Sequence, residues 1–359
     1  MTRPNLLGML PEDLVRHLAA AAAVDAPLAD ARRLLAHVIT GGASDLVPKK
    51  PVRRGVRLAV EATCRVERLE VVERAADPGD GFVKYLLRSP DGALSEAVRI
   101  PLAKEGAFTV CLSSQVGCAM RCDFCATGRL GLQRNLAAWE MVAAFLAVRD
   151  DLPAGARLTG AVFMGQGEPF HNYDEVIRAA DVLSHPCGGR VDKDAITLST
   201  VGLTDKIRRY TREGHKYRLI VSLHSAIPER RRRLLPVAGK LPLLELADAL
   251  REHAKATRDR VTVAWTVMRG VNTGDDEVQA LVALLHDVPL KLNLIDVNDA
   301  REGGYERASP EELARFLDAL QVLKAPVVRR YSGGAQRHAA CGMLAATRWG
   351  EPSLEGGSP

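Results

Sequence analysis

Apolar and polar residues follow two different periods along the last two thirds of the chain. Short apolar runs typical of buried strands alternate with longer segments in which apolar residues recur at helical spacing. The pattern predicts six strands, at 108–113, 160–164, 195–199, 219–223, 260–267 and 290–295. It predicts helices at 137–149, 173–183, 243–256, 276–286 and 310–323. Such repeated β/α units predict an α/β fold with a parallel sheet, a partial (β/α)6 TIM-like barrel.

The first hundred residues follow another pattern. Leucines at helical spacing predict short helices up to about residue 50. From Val56 to Ile100 we expect β alternation, with a turn at the Ser89-Pro-Asp-Gly sequence. The predicted domains are an N-terminal helical domain (1–50), a β-rich accessory segment (51–105), a barrel (106–345) and a disordered Gly/Ser/Pro-rich tail (346–359).

Polar and cysteine residues follow the predicted barrel strands. In parallel barrels the chemistry takes place on the loops at the carboxyl ends of the strands. Here a cysteine-rich loop follows the first strand, and a Met-Gly-Gln-Gly-Glu-Pro sequence that contains Gly167 and Glu168 ends the second. Later strands end at Ser199, at Ser222-Leu223-His224 and just before Asn298. The sequence therefore predicts one site at this end of the barrel.

Three cysteines carry the most specific chemical signal. Cys118, Cys122 and Cys125 have the spacing C-x3-C-x2-C, with an aromatic residue just before the last of them. Three close thiolates can hold three irons of a [4Fe–4S] cluster and leave the fourth iron open to S-adenosylmethionine. The spacing resembles the signature of the radical S-adenosylmethionine (radical SAM) superfamily. The alternative is a zinc site or structural thiols, but zinc normally takes a fourth Cys or His ligand.

Composition narrows the class of protein. The hydrophobic content of 47% is normal for a globular protein with a sizeable core, and the few aromatic residues argue against a binder that stacks single-stranded bases. Seven cysteines, three of them in one ligand motif, suit a reducing cytoplasm. The sequence begins without the order of a signal peptide and has no membrane-length apolar run. We therefore expect a cytoplasmic protein without a membrane partner.

The net charge of +5 is unevenly distributed. Between residues 206 and 233 there are ten Lys or Arg residues and two Glu residues. Such a concentration predicts a polyanionic partner, with Arg230–Arg233 as candidate phosphate contacts. The alternative is a set of solvated helix faces.

Two further cysteines and one glutamate extend the likeness to a single family. Cys111, Cys341 and Glu96, together with the six-strand layout, resemble the RlmN/Cfr family of radical SAM adenine methyltransferases. The resemblance runs from about residue 96 to 344 and implies a radical SAM barrel with a small N-terminal helical and β accessory region. It implies S-adenosylmethionine as methyl donor and radical source, and one [4Fe–4S] cluster on the three loop cysteines. It also implies cofactor contacts from residues at the strand ends: Gly167, Glu168, Ser199, Ser222, Leu223, His224 and Asn298.

The resemblance also implies catalytic roles. Cys341 matches the cysteine that becomes S-methylated, Cys111 the cysteine that later forms a transient disulfide with it, and Glu96 the proton acceptor. The implied substrate is an adenine of 23S ribosomal RNA or transfer RNA, and C2 is favoured over C8 because C2 enzymes are the more widespread branch. The implied electron donor is a small redox protein such as flavodoxin or ferredoxin.

Two stretches depart from the family pattern. The sequence Gly333-Gly-Ala-Gln-Arg-His338 precedes Ala339-Ala-Cys341, and Ala29–Arg33 replaces a family signature in the N-terminal helices. Two other hypotheses therefore stay open. One is a radical SAM enzyme that acts on a peptide or small molecule, and the other is a non-catalytic iron–sulfur or zinc module. Formation of 5′-deoxyadenosine separates enzymes from the module.

Overall fold

The computed structural model describes residues 3–299, 301–330 and 333–345. Its strands are β1 Glu70–Ala76, β2 Val83–Arg88, β3 Leu94–Pro101, β4 Ala107–Leu112, β5 Gln115–Gly117, β6 Leu132–Asn135, β7 Arg157–Phe163, β8 Ile196–Thr200, β9 Arg218–Ser222, β10 Val261–Val267, β11 Leu290–Asp296 and β12 Val327–Arg330. Its α-helices are α1 Pro11–Ala22, α2 Leu28–Leu35, α3 Arg54–Thr63, α4 Ala126–Arg129, α5 Ala138–Asp150, α6 Tyr173–Ser184, α7 Thr204–Glu213, α8 Pro228–Leu234, α9 Leu243–Thr257, α10 Asp275–Leu285 and α11 Pro310–Ala319.

One sheet organises the described part of the chain. Its strand order is β1-β2-β3-β4-β7-β8-β9-β10-β11-β12, while β5 and β6 form a separate small hairpin. Strands β1 to β4 pair antiparallel, and every pair from β4 to β12 is parallel. Strands β1 and β12 are the edges in this order, so the parallel part is an arc. The six predicted strands are confirmed, and β12 adds a seventh parallel strand that the sequence pattern did not predict.

The two faces of the sheet have different side chains. On the outer face, large residues such as Phe163, Leu198 and Val263 pack in the main core with the helices. On the inner face, Val98, Cys111 and Val162 form a small separate cluster, and Ile220 and Ala264 belong to another. Because side chains alternate along a strand, the residues between those that pack against the helices face the other side of the sheet. Two cavities lie on this inner side, one lined by Cys111 and the other by Ala264.

Helix boundaries follow ordinary capping rules. Helix α11 has a proline at its first position, and the Ser309 hydroxyl accepts a hydrogen bond from the Glu312 amide at 3.2 Å. It ends at Ala319 and continues as a 3-10 turn over Leu320–Leu323, so the predicted helix at 310–323 is confirmed with a change of type in its last turn. In the part of the chain described here, we find no helix with the length and apolar content needed to cross a membrane.

The accessory region corrects one expectation. Residues 54–63 form helix α3, and the first strand begins only at Glu70, so the β alternation expected from Val56 onward is wrong there. Val56, Ala59 and Val60 are buried at helical spacing and pack one face of α3. The expected turn is confirmed, because the Gly92 amide donates to the Ser89 carbonyl at 2.9 Å between β2 and β3. The domain division itself stays a prediction.

Candidate active site

An open cavity of about 690 Å³ lies at the carboxyl ends of the parallel strands. Each of four neighbouring strands, from β7 to β10, contributes at its end: Glu168, Ser199, Ser222 and Thr266 line the cavity. Its other lining residues include Cys122, Phe124, Cys125, Met164, Gly167, His224 and Cys341. The sequence-based prediction placed the chemistry at this end of the barrel, and the cavity lies there.

The cysteine loop runs from β5 into the short helix α4. Cys118 follows β5 and is buried, and its sulfur accepts a hydrogen bond from the Met120 amide at 3.5 Å. Burial raises the pKa of the Cys118 thiol to about 12, and burial also raises the pKa of Cys125. The pKa of Cys122 is raised well above its usual value by burial and by the neighbouring charges of Cys125 and Cys118. Burial thus opposes deprotonation of all three thiols, and the charge of a neighbouring cysteine opposes it further for Cys118 and Cys122.

This donor set fits an iron–sulfur cluster. Buried sulfur atoms that oppose one another's ionisation become stable thiolates when a positively charged, sulfur-preferring metal centre lies between them. In the described residues no group of three or more His, Cys, Asp or Glu side chains has the arrangement of a site for one metal ion. The assignment of the three cysteines as ligands of a cluster stays a prediction.

The Gly167-Glu168 pair follows β7 and forms the floor of the cavity. Gly167 has φ +101°, and a Cβ atom there would lie 2.6 Å from Cβ of Gln115, so the backbone requires glycine. The carboxylate of Glu168 accepts hydrogen bonds from the amides of Phe170 at 3.0 Å and Val201 at 2.9 Å. Burial raises the pKa of Glu168 to about 7 despite these bonds. Glu168 is therefore held in place and is close to its titration point at neutral pH.

The next two strands bring three predicted residues to the same cavity. The hydroxyl oxygens of Ser199 and Ser222 are 3.4 Å apart across the ends of β8 and β9. His224 has φ +59°, and its Nδ1 accepts a hydrogen bond from the Thr266 amide at 2.9 Å. Burial lowers the pKa of His224 to about 3, so the ring is neutral and carries its proton on Nε2. Leu223 is buried in the main core and does not line the cavity.

Asn298 lines a second cavity at the surface. It follows β11, and its side-chain amide donates to the Asp296 carbonyl at 3.1 Å while its oxygen accepts from Arg307. It lines a separate surface cavity with Asp299, Arg307 and other residues. The Asn298 carbonyl nevertheless lies close to Gly342, which lines the main cavity, and the role of Asn298 as a cofactor contact stays a prediction.

Cys111 and Cys341 line one cavity of about 600 Å³, which Cys125 also borders. Cys111 is on the inner face of β4. Burial raises the pKa of the Cys111 thiol to about 12, the nearby Cys341 adds to that shift, and Arg330 opposes it. Arg330 also donates to the sulfur of Met164 at 2.9 Å. Two cysteines that are far apart in sequence are thus brought together next to the cysteine loop.

Two docked ends bring Cys341 to this position. On one side, the Gly334 amide donates to the Asp80 carboxylate at 2.7 Å, which attaches the segment to the turn between β1 and β2. On the other side, the Gly342 carbonyl accepts from the Ala126 amide at 2.7 Å, and the Leu344 carbonyl accepts from the Thr127 hydroxyl at 2.6 Å. The second pair of bonds joins the Cys341 segment directly to helix α4, which begins just after Cys125.

Glu96 lies on β3 in a buried ion pair that the sequence analysis did not predict. The ammonium of Lys84 is 3.0 Å from the Glu96 carboxylate, and the two side chains are 4% and 0% exposed. Lys84 pairs with Val98 across the sheet, and Val98 pairs with Cys111, so this row of residues crosses three strands on the cavity side. The signal for this pair in the sequence is a lysine between Val83 and Tyr85, which are both buried in β2.

Two of the four consecutive arginines in the basic stretch bind other parts of the protein. Arg230 forms ion pairs with Asp276 and Glu277 at 2.8 and 2.7 Å, and Arg231 is buried with 1% of its surface exposed. Arg232 and Arg233 are exposed. The prediction that all four arginines contact phosphates is therefore wrong for Arg230 and Arg231, because their guanidinium groups bind other parts of the chain.

Comparison with known proteins agrees with this geometry. The model of the radical SAM superfamily matches residues 112–285. A protein of Anaeromyxobacter sp. (strain Fw109-5) described as a probable RNA methyltransferase is 52% identical over 89% of this chain and 94% of its own length. A protein of Syntrophobacter fumaroxidans described as the dual-specificity RNA methyltransferase RlmN is 38% identical over 88% of this chain and 91% of its own.

Among solved structures, a radical SAM methyltransferase from Sphaerobacter thermophilus aligns with a TM-score of 0.84 and 34% identity, covering 96% of this chain and 100% of that one. This match confirms the predicted radical SAM type of α/β fold. The identities and coverage exceed what a shared fold alone produces. The chain therefore belongs to the RlmN/Cfr family of radical SAM methyltransferases, and it is an enzyme of that class.

Proposed function

We propose that this enzyme methylates an adenine carbon, C2 in preference to C8, in 23S ribosomal RNA, transfer RNA or both. The observation that carries the proposal is the shared cavity of Cys111 and Cys341 beside Cys125. A peptide- or metabolite-modifying enzyme has no general need for a second pair of cysteines next to its cluster loop. The RNA methyltransferase names of the relatives from Anaeromyxobacter and Syntrophobacter support the same substrate class.

The cofactors are assigned to the two neighbouring cavities. Cys118, Cys122 and Cys125 would hold one [4Fe–4S] cluster. Gly167, Glu168, Ser199, Ser222 and His224 would contact S-adenosylmethionine, with Leu223 and Asn298 as outer members of the set predicted from the family. When bound, these groups supply a methyl group and the radical that activates it. The protein supplies position and the exclusion of water.

Cys341 is the proposed methyl acceptor. Its sulfur would take the methyl group, and one hydrogen atom of that methyl group would pass to the radical that the bound cofactors supply. The remaining methylene carbon would then form a bond to the adenine carbon, while it stays attached to the Cys341 sulfur. Glu96 would then accept the proton displaced from the adenine carbon, and one electron would return from the adduct to the bound cofactors. The two losses together restore the aromatic ring. The ammonium of Lys84, 3.0 Å from the Glu96 carboxylate, holds that carboxylate in a fixed position on β3.

Cys111 is the proposed resolving thiol. In a cavity that raises its pKa to about 12, it stays protonated and does not react early. Once it is deprotonated, its sulfur attacks the sulfur of Cys341. The bond from Cys341 to the methylene breaks, a Cys111–Cys341 disulfide forms, and the released carbon takes a proton to become the methyl group on RNA. An external thiol then reduces the disulfide.

The remaining partners follow from this chemistry. The enzyme needs RNA at the open end of the barrel and a one-electron donor, for which flavodoxin or ferredoxin are the candidates. RNA as substrate and reversible thiol chemistry suit the cytoplasm.

The test is anaerobic reconstitution, incubation with ribosomal and transfer RNA, and mass spectrometry of the nucleosides. We expect C2-methyladenosine from the unaltered enzyme. Cys341→Ala should form neither methylated protein nor an RNA adduct, whereas Cys111→Ala should accumulate a covalent protein–RNA species that is visible on a denaturing gel. Cys187→Ala, which removes a cysteine outside both cavities, should behave like the unaltered enzyme. Turnover by Cys341→Ala, or normal methylation by Cys111→Ala, would overturn the mechanism.

A further inference from the structure

Arg231 is a buried cation with no carboxylate partner in the described residues. It is on α8 with 1% of its surface exposed. Its guanidinium donates to the carbonyls of Val201 at 2.7 Å, Ser222 at 3.3 Å and Leu223. Its Nε has no hydrogen-bond partner. Arg230, the preceding residue, forms ion pairs with two carboxylates. Two adjacent arginines of one helix therefore differ in whether a carboxylate neutralises their charge.

A buried charge without a counterion is costly. Transfer of an ion out of water costs several kcal/mol even after relaxation of the protein, and carbonyl dipoles repay only part of it. Burial lowers the pKa of Arg231 to about 10, so the side chain still carries its charge at neutral pH. Carbonyl contacts alone would tie together the ends of β8 and β9, but a neutral hydrogen-bond donor could do that without the cost.

The cysteine loop packs directly against the end of α8 that carries Arg231. The Asp123 amide donates to the Leu234 carbonyl at 3.0 Å, and Leu234 and Leu235 share one apolar cluster with Cys118 and Met120. Val201 and Ser222, whose carbonyls bind Arg231, line the same cavity as Cys122 and Cys125. The unpaired cation therefore faces the proposed cluster ligands.

We propose that Arg231 is a positioning residue that supplies the countercharge for the iron–sulfur cluster and raises its reduction potential. The inference rests on the proposed ligation by Cys118, Cys122 and Cys125, and not on the RNA substrate. Three thiolates around a dicationic cluster core leave a net negative charge, and one-electron reduction adds another. A fixed, water-excluded cation stabilises the reduced form more than the oxidised form. Arg231 would thus ease the electron uptake that starts the reaction.

The experiment compares Arg231→Gln, Arg231→Lys and Arg232→Gln. The two Gln variants lose the same formal charge, but Arg232 is exposed and screened by solvent. The midpoint potential of the reconstituted cluster is measured by a redox titration followed by electron paramagnetic resonance, with iron content measured in parallel. We expect Arg231→Gln to change the reduced-to-oxidised ratio at a given potential at least tenfold toward oxidised, a shift of about 59 mV to more negative values. Arg231→Lys and Arg232→Gln should stay close to the unaltered protein.

The outcomes separate the possibilities. A loaded Arg231→Gln cluster with an unchanged potential overturns the proposal. If Arg231→Gln loses iron while Arg231→Lys retains the cluster at the original potential, the result supports the role of the positive charge at this position. If neither variant retains iron, the side chain is a structural clamp and the proposal is wrong. An unaltered protein that binds no cluster would instead contradict the proposed ligation by the three cysteines.

Discussion

The two groups of cysteines in this enzyme are assembled in opposite ways. The three cysteines of the cluster loop lie within the eight residues from Cys118 to Cys125, and bonds between neighbours in sequence shape the loop. Cys111 and Cys341 are 230 residues apart and meet because strand β4 and the docked segment after β12 converge on one cavity. The first group is already close in sequence, and contacts such as the bond from the Asp123 amide to the Leu234 carbonyl hold its loop against the rest of the fold. The second group meets only when the whole sheet has formed.

The charges around the two groups differ as well. The cluster loop faces the buried and unpaired Arg231, and the cysteine pair is close to Arg330 at the edge strand β12. A permanent buried cation suits a group that must stay ionised, such as thiolates on a metal cluster. Burial raises the pKa of both Cys118 and Cys111 to about 12, so the acidity of the thiols does not distinguish the two groups. The difference between them is the kind of cation nearby.

The strongest test of this contrast is Cys122→Ala. Because the cluster needs three thiolates, we expect this variant to lose the brown iron–sulfur chromophore and all cleavage of S-adenosylmethionine. The distant pair is built by other parts of the fold, so mild oxidation should still join Cys111 to Cys341. Iron content, absorption spectra and peptide mass spectrometry are the measurements.

The matched control is Cys64→Ala. Cys64 is also buried, but it packs in the core of the N-terminal region. We expect this variant to lose some stability and to keep its cluster. A Cys122→Ala protein that loads a complete cluster would disprove the assignment of the loop, and loss of the Cys111–Cys341 cross-link would show that the two groups are not independent.

The buried ion pair of Lys84 and Glu96 tests the part of the sheet that brings Cys111 and Cys341 together. Lys84→Met removes one partner of an ion pair whose side chains are 4% and 0% exposed, and we expect a loss of about 3–5 kcal/mol in the free energy of unfolding. The double variant Lys84→Met/Glu96→Gln should be considerably more stable than the single one, because no charge is then left behind. Urea unfolding of the apoprotein measures both, and equal losses would argue against a tight pair.

How far the sequence could predict this site follows from the same contrast. The spacing of Cys118, Cys122 and Cys125 is a local pattern, and the alternation of strands and helices is a local period, so the barrel and the cluster loop were predicted directly. Cys111 and Cys341 could be paired only through the family resemblance, because no local pattern relates them. Long-range contacts do not leave a period in the sequence.

The errors have physical causes too. Arg230–Arg233 form a single basic run, yet Arg231 is buried against the ends of β8 and β9, where it binds backbone carbonyls. Helix α10 supplies the carboxylates for Arg230. Helix α3 was missed because Val56, Leu58 and Val60 also fit the alternation of a strand. Lys84 gave a signal, but its partner on β3 becomes evident only when the two strands pair.

The raised pKa of Glu168, which lies in the cavity beside the cysteine loop, predicts that the stability of the apoprotein depends on pH. Its pKa in the folded apoprotein is raised by burial from 4.5 to about 7. Folding therefore favours the protonated carboxyl. Its contribution to the free energy of unfolding is complete below pH 4.5 and is lost as the pH rises to about 7. We expect the unaltered apoprotein to lose about 3 kcal/mol of stability relative to Glu168→Gln over this range. Denaturant unfolding at several pH values is the measurement, and parallel curves for the two proteins would contradict the raised pKa.

The smallest expected effect concerns the rim of the open end. Arg232 and Arg233 stay exposed beside the cluster loop, and Arg233 lines a surface cavity with Asp123 of that loop. If RNA covers the cluster side as well as the cysteine pair, each arginine contacts a phosphate, and the double change to Gln should lower the slope of log binding constant against log salt by about 0.7–0.9 per contact. Binding titrations at several salt concentrations measure the slope.

Lys255 and Arg260 provide the control for this last prediction. Both are exposed, and Arg260 immediately precedes β10, at the opposite end of the strand from the cavity. Changing them to Gln removes the same total charge from the far side of the protein, so the salt slope should stay the same. Equal slopes for all three proteins would mean that Arg232 and Arg233 are solvated surface residues. RNA would then approach the cysteine pair from the side of the accessory strands, without covering the cluster loop.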